Sequence, residues 1–88
     1  MATIVVRHKV GNFDTWLKGH QERVELFAPA VSSFTTFQDT DDPKSVTLVV
    51  EVTDLEKLGA IINDPKNQEV KNRHTVLEPI IMSMPVDV

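Results

Sequence analysis

The stretch VRHKVGNFDTWLKGHQER, from Val6 to Arg23, holds two of the chain's three histidines, its single tryptophan and an arginine. An imidazole titrates near neutrality and can take or give a proton. A guanidinium can hold a carboxylate, or an enolate oxygen that gains charge during a reaction, and an indole offers a flat wall to an aromatic ligand. Together these types suit proton transfer on a small organic molecule, provided that the fold brings them together.

Their spacing predicts that it does. Residues 3–10 alternate as a strand, which places Ile4, Val6, His8 and Val10 on one uniformly apolar face. Beyond the break at Gly11 and Asn12, a helix is predicted to about Ala28, with Phe13, Trp16, Leu17, His20, Val24, Phe27 and Ala28 on one side. If that stripe packs on the strand, His8, Trp16 and His20 enter one layer, with Arg23 at its margin. The arrangement would be a small apolar pocket with a few convergent polar groups, the usual form of a ligand site. His8 and His20 are the acid–base candidates, and Trp16, Arg23 and Phe27 the candidates for contact with a small hydrophobic ligand. A plain core competes with this reading, because a histidine or tryptophan on an apolar face commonly packs there and does nothing more.

The remaining elements follow from local signals. Asn12 is placed to cap the first helix, with Asp14 in its first turn. A strand over 32–39, a turn at DDPKS and the strand SVTLVVEV form a hairpin. TDLE reads as a capping box in which the Thr53 hydroxyl accepts from the amide of Glu56, so that a second helix starts near Asp54. Pro65 ends that helix or restarts a helical turn. A last strand over 75–84 contains Pro79, which has no amide to give a ladder and therefore belongs at a sheet edge.

The order βαββαβ predicts one α+β domain over residues 1–88, a ferredoxin-like sandwich with an antiparallel sheet in the order 4-1-3-2 and both helices on one face. Apolar residues nevertheless occur on both faces: Val50 and Val49, Phe34 and Phe37, Ile80 and Ile81 point opposite ways. A second copy of the chain is the economical cover for the open face, so a homodimer joined sheet to sheet is expected.

Across nearly the whole chain, VVRHKVGNFDTW, FQDTDDPKSVTLVVEVTDLEK and NDPKNQEVKNRHTVLEPIIM resemble the dimeric α+β barrel superfamily, in particular its antibiotic-biosynthesis-monooxygenase-like domains. The pattern H-x-V-x-x-F-D-x-W, the arginine seven residues later and the hairpin D-D-P-x-x-V carry most of the resemblance. It implies a pocket between sheet and helices in each subunit, and a function among cofactor-independent oxygenases, isomerases, haem-modifying enzymes and binding proteins. The haem-degrading asparagine, tryptophan and histidine set has no residue-by-residue counterpart here, since Trp16 falls on the first helix.

Composition narrows the field further. With 88 residues, 41% hydrophobic and 25% charged, the chain is expected to fold as an ordinary globular domain. It has no cysteine, which removes disulfides and thiolate chemistry and is compatible with a cytoplasmic, reducing setting. Its formal net charge of −4 and scattered basic residues argue against nucleic acid as a partner, and no apolar run is long enough for a membrane span. No dinucleotide, P-loop or nucleophile-elbow pattern is present, so no cofactor is expected. Metal binding by His8, His74 and Glu78 is disfavoured, because no HxH or HxxxH spacing occurs and His74 reads as an exposed residue before the last strand. Two functions remain: a cofactor-independent oxygenase or isomerase, and a non-catalytic ligand-binding or regulatory module.

Overall fold

Alternation along the strands sets the architecture in the computed structural model, which describes residues 2–87. In β1 (Ala2–Val10), Ile4, Val6, His8 and Val10 are buried while Thr3, Arg7 and Lys9 are exposed. In β3 (Ser45–Val52), Val46, Leu48, Val50 and Val52 are buried in the same rhythm. The two strands pair antiparallel with Ile4 opposite Val50, Val6 opposite Leu48 and His8 opposite Val46, so their buried residues share one face. β2 (Val31–Gln38) pairs with the free side of β3, and β4 (Val76–Ser83) with the free side of β1. The sheet order is therefore β2-β3-β1-β4, antiparallel throughout, which is the expected 4-1-3-2 order read from the other edge. Pro79 lies on the edge strand, as its missing amide requires.

Each crossover carries a broken helix; the sequence predicts a continuous one for the first and an end or restart at Pro65 for the second. The first consists of α1 (Phe13–Lys18) and α2 (His20–Phe27), separated at Gly19. Asn12 caps α1 as expected, its side chain accepting from the Thr15 amide at 3.0 Å. Glycine is a poor helix former, but the tighter reason for the break is space. A Cβ at Gly19 would stand 2.4 Å from His74 Nε2, so the imidazole fills the volume that a side chain there would need.

The second crossover contains α3 (Leu55–Asn63), one 3₁₀ turn (Pro65–Asn67) and α4 (Gln68–Arg73). The cap of α3 is Asp54 rather than Thr53: the Asp54 carboxylate accepts from the Lys57 amide at 3.0 Å. The aspartate adds its charge to the positive end of the helix, while the backbone amides of Thr53 and Asp54 both donate to the Ala30 carbonyl, at 2.8 and 3.2 Å. Pro65 does begin a fresh helical turn, and α4 continues from it toward His74.

The core lies between the sheet and these helices, with Trp16, Ile4, Leu58, Val10 and Val46 its largest fully buried side chains. Among the described residues, the opposite face has no such cover. Phe37, Leu77 and Ile81 stand there at 50%, 47% and 45% exposure, interleaved with Thr47, Arg7 and the half-buried Val5 and Val49. No described helix is long and apolar enough to cross a membrane.

Candidate functional site

A cavity of about 70 Å³ lies between the sheet and the helices. Val6, Leu48, Val50 and Ile80 form its sheet side, and Leu26, Phe27, Leu58, Ile61 and Val70 approach from the helices. Its polar lining consists of His8, Arg23, Asn67, Lys71 and His74.

His8 reaches the cavity because it occupies an inward position of β1. On the other side of β1, Lys9 pairs with Leu77 and Arg7 with Ile81, so residues 78–80 bulge out of the ladder beside His8. The His8 Nδ1 lies 2.9 Å from the Lys9 carbonyl oxygen. A carbonyl only accepts, so Nδ1 carries the proton and Nε2 keeps its basic lone pair. Burial pushes the His8 pKa below 6.5, and the positive charge of Arg23 acts in the same direction; the Lys9 hydrogen bond and Glu78 oppose this only in part. The imidazole is therefore neutral at pH 7.

Arg23 is only 4% exposed. Its Nη1 donates to the Trp16 carbonyl at 2.6 Å and to His74 Nδ1 at 3.2 Å. Its Cζ stands 4.1 Å from the centre of the Trp16 ring system, a cation–π contact away from bulk water. Two further donors, Nε and Nη2, meet no acceptor among the described residues. Burial pulls the guanidinium pKa down to about 10, and Glu22 offsets part of this, so the group is cationic at neutral pH.

His74 is buried, at 4% exposure, where the sequence suggests an exposed residue. Arginine has no acceptor atom, so the Arg23 contact fixes His74 Nδ1 as the acceptor and Nε2 as the protonated nitrogen. Nε2 in turn donates to Glu22 Oε1 at 2.8 Å. Arg73 grips the same carboxylate through Nη1 at 3.2 Å and Nη2 at 2.9 Å, and these bonds hold the Glu22 pKa below its usual value. The turn that drives His74 inward is held at Thr75, a β-branched residue at φ 58°. Such a conformation costs on the order of 1–3 kcal/mol and is secured by bonds from Gly11 N to the Thr75 carbonyl at 2.8 Å and from Asn12 N to Thr75 Oγ1 at 3.0 Å. Glu22, Arg73 and His74 are absent from the sequence-derived site, and only their adjacency to Arg23 and to the predicted helix end marks them in the sequence.

The expected convergence is realised in part. His8, Arg23 and Phe27 border the cavity, and Arg23 is central rather than marginal. Trp16 stands behind it: the indole is fully buried, edge-on to His8 with ring centres 6.0 Å apart, tilted against Phe13, and outside the cavity lining. His20 faces a separate surface depression with Val24, Ala28 and Val31. Its ring meets Phe34 edge-on at 5.9 Å, and its Nδ1 lies 3.4 Å from Thr36 Oγ1. Phe34, stacked on Phe27, borders both hollows and so stands between His20 and the cavity. The helix break explains the departure: with ψ of 5° at Gly19, the face carried by α1 does not continue in phase into α2. Among the described residues, no group of three or more His, Cys, Asp and Glu side chains is placed to hold a metal ion.

Two consequences are measurable. Gly19→Ala forces a methyl into an imidazole bonded through both nitrogens, and is expected to lower stability by about 1–3 kcal/mol in urea unfolding. In a His74→Ala background the same change should cost little, so the double-mutant cycle isolates the clash. His8 should titrate with a midpoint below 6.5 by histidine NMR. Because its folded pKa lies below that of the unfolded chain, the unfolded state takes up the proton first as pH falls. The His8 contribution to stability is therefore complete above 6.5 and is lost as pH falls from there through the folded pKa. His8→Gln should flatten that part of the stability curve; an unchanged curve would show that burial does not control this group.

No protein-family model matches the chain, and no curated protein matches it by sequence. Solved structures do match its fold. A crystal structure of an antibiotic biosynthesis monooxygenase superposes with a TM-score of 0.70 at 16% identity, covering 100% of this chain and 99% of the other. SnoaB, a cofactor-independent oxygenase from Streptomyces nogalater, superposes with a TM-score of 0.72 at 14% identity, covering 99% and 94%. A protein of Agrobacterium tumefaciens superposes with a TM-score of 0.68 at 12% identity, covering 100% and 94%. The chain thus has the ferredoxin-like α+β fold of the antibiotic-biosynthesis-monooxygenase-like structures.

Proposed function

We propose that the cavity binds a small hydrophobic or aromatic molecule and that the chain is a cofactor-independent enzyme of the oxygenase or isomerase type. One observation carries this reading: an apolar cavity brings together a neutral imidazole with a free basic nitrogen and a buried guanidinium with uncommitted donors. In this scheme His8 Nε2 removes a proton from an acidic carbon of the ligand. The electron pair left behind is delocalised onto a ligand oxygen, which Arg23 stabilises. An isomerase returns the proton from His8 to a different carbon. In an oxygenase the carbanion gives one electron to dioxygen, the radical and superoxide combine in a C–O bond, and the peroxide takes the proton back from His8; O–O cleavage with loss of water then leaves a ketone at that carbon. That SnoaB is a cofactor-independent oxygenase on this fold lends support to this chemistry. Phe27 contacts the ligand, Trp16 supports His8 and Arg23 from behind, and His20 is a second acid–base candidate only if the ligand extends past Phe34.

A thermal-shift screen of small ketones, phenols and acids tests the binding step. Saturation at 100 times Kd stabilises by about 2.7 kcal/mol, on the order of a 10–20 °C rise in Tm for a domain of this size. Ile61→Trp, which fills the cavity, should abolish the shift; a ligand that stabilises that variant equally binds elsewhere. For any compound turned over, His8→Ala should lower kcat by about 100-fold or more. Retained binding without turnover in the wild type would favour the non-catalytic module.

We further propose that a second copy covers the open sheet face. A chain of this length has a narrow stability margin of its own, and Phe37, Leu77 and Ile81 leave apolar surface where two sheets can meet. Light scattering should give twice the 9.9 kDa chain mass, and Phe37→Glu should shift the protein toward the monomer. A compact monomer at micromolar concentration would overturn this assignment.

A further inference from the structure

The charge around the cavity is one-sided. Acidic residues outnumber lysines and arginines in the chain by 13 to 9, yet none lines the cavity, whereas Arg23 and Lys71 both do. The cations that approach it are not equivalent. Lys71 donates its ammonium to the Ile62 carbonyl at 2.7 Å and lies 3.8 Å from Glu78. Arg23 has no carboxylate within salt-bridge distance among the described residues, and Glu22, its neighbour in sequence, is engaged by Arg73 and His74. Both bonds that the Arg23 side chain makes among the described residues use Nη1. The edge formed by Nε and Nη2 remains, shielded from solvent, on a side chain that is more than nine-tenths buried, borders the cavity and is backed by the face of Trp16.

That edge presents two parallel N–H donors at the separation of the two oxygens of a carboxylate, the geometry of a bidentate pair. An unpaired cation in apolar surroundings is costly, and an anion with an apolar body removes that cost while filling the remaining space. The volume limits its size: 70 Å³ is about half of the roughly 150 Å³ of an apolar cavity that holds benzene. We propose that the site selects its ligand as a small monocarboxylate, whose two oxygens sit on Nε and Nη2 of Arg23 and whose short apolar body lies among Val50, Leu58, Ile61 and Val70. This rests on the reading of the cavity as a ligand site and names the substrate class. An acid whose acidic C–H lies next to the carboxylate, or is joined to it through a double bond, would fit both statements, because the electron pair left by deprotonation there is delocalised into the oxygens already held by Arg23.

Trp16 is the only tryptophan and stacks on the guanidinium, so its fluorescence reports on the site without a label. The full chain is titrated with acetate, propionate and butyrate, and with acetamide, propionamide and butyramide as neutral counterparts, following Trp16 emission and Tm. The expected result is that each acid binds about tenfold or more tightly than its amide, the difference between a charge-assisted bidentate pair and neutral hydrogen bonds. Arg23→Met should abolish that preference. If Arg23→Met fails to fold, Arg23→Lys decides: it keeps the charge, loses the fork, and should reduce the acid-to-amide ratio severalfold. Equal affinity for acids and amides, or an acid preference unchanged in Arg23→Lys, overturns the carboxylate assignment while leaving the cavity as a site for neutral ligands. Failure of both series to bind overturns the assignment and the reading of the cavity together.

Discussion

The burial of the Arg23 guanidinium against Trp16 is the interaction around which this small domain is arranged. A cation withdrawn from water must be compensated locally, and each group near Arg23 contributes. The Trp16 carbonyl and His74 Nδ1 accept from Nη1, and the indole face lies against Cζ. His8 meets the same indole edge-on, so one aromatic ring sets the positions of the base and of the cation. Charge on Arg23 also helps to keep His8 neutral, which couples the protonation of one side of the cavity to the electrostatics of the other.

Several irregular features of the backbone serve this arrangement. Gly19 interrupts the first helix and leaves the volume that the His74 ring enters. Thr75 adopts a left-handed conformation, anchored to Gly11 and Asn12, and so directs His74 inward at the start of β4. The bulge over residues 78–80 departs from the β1–β4 ladder beside His8. Each departs from the regular geometry of its element, and each lies next to a polar group that the cavity presents. Departures of this kind recur at functional sites, where the surrounding structure holds them in place.

The regular parts of the fold were legible in the sequence because they depend on period and local chemistry. The inward set Ile4, Val6, His8 and Val10, the hairpin, the interruption before Pro65, the edge position of Pro79 and the strand order all follow from alternation, turn residues and connection rules. The cap of α3 was misplaced by one residue, since both Thr53 and Asp54 can cap and the choice depended on a distant acceptor, the Ala30 carbonyl. The site was legible in half: His8, Arg23 and Phe27 border the cavity, whereas His20 was carried onto the same face by a helical wheel that assumes no break at Gly19.

By itself the sequence determined which residues could face inward, because side-chain direction in a strand or an unbroken helix is a function of spacing alone. It also determined the class of fold, through the order of elements and the handedness of their connections. Only the tertiary structure decided which inward residues share a cavity, that Arg23 retains two uncommitted donors, and that His74 is buried with its tautomer set by Arg23 and Glu22. Those outcomes depend on contacts between residues about fifty positions apart and on one missing Cβ, and no local pattern encodes the approach of two such distant segments.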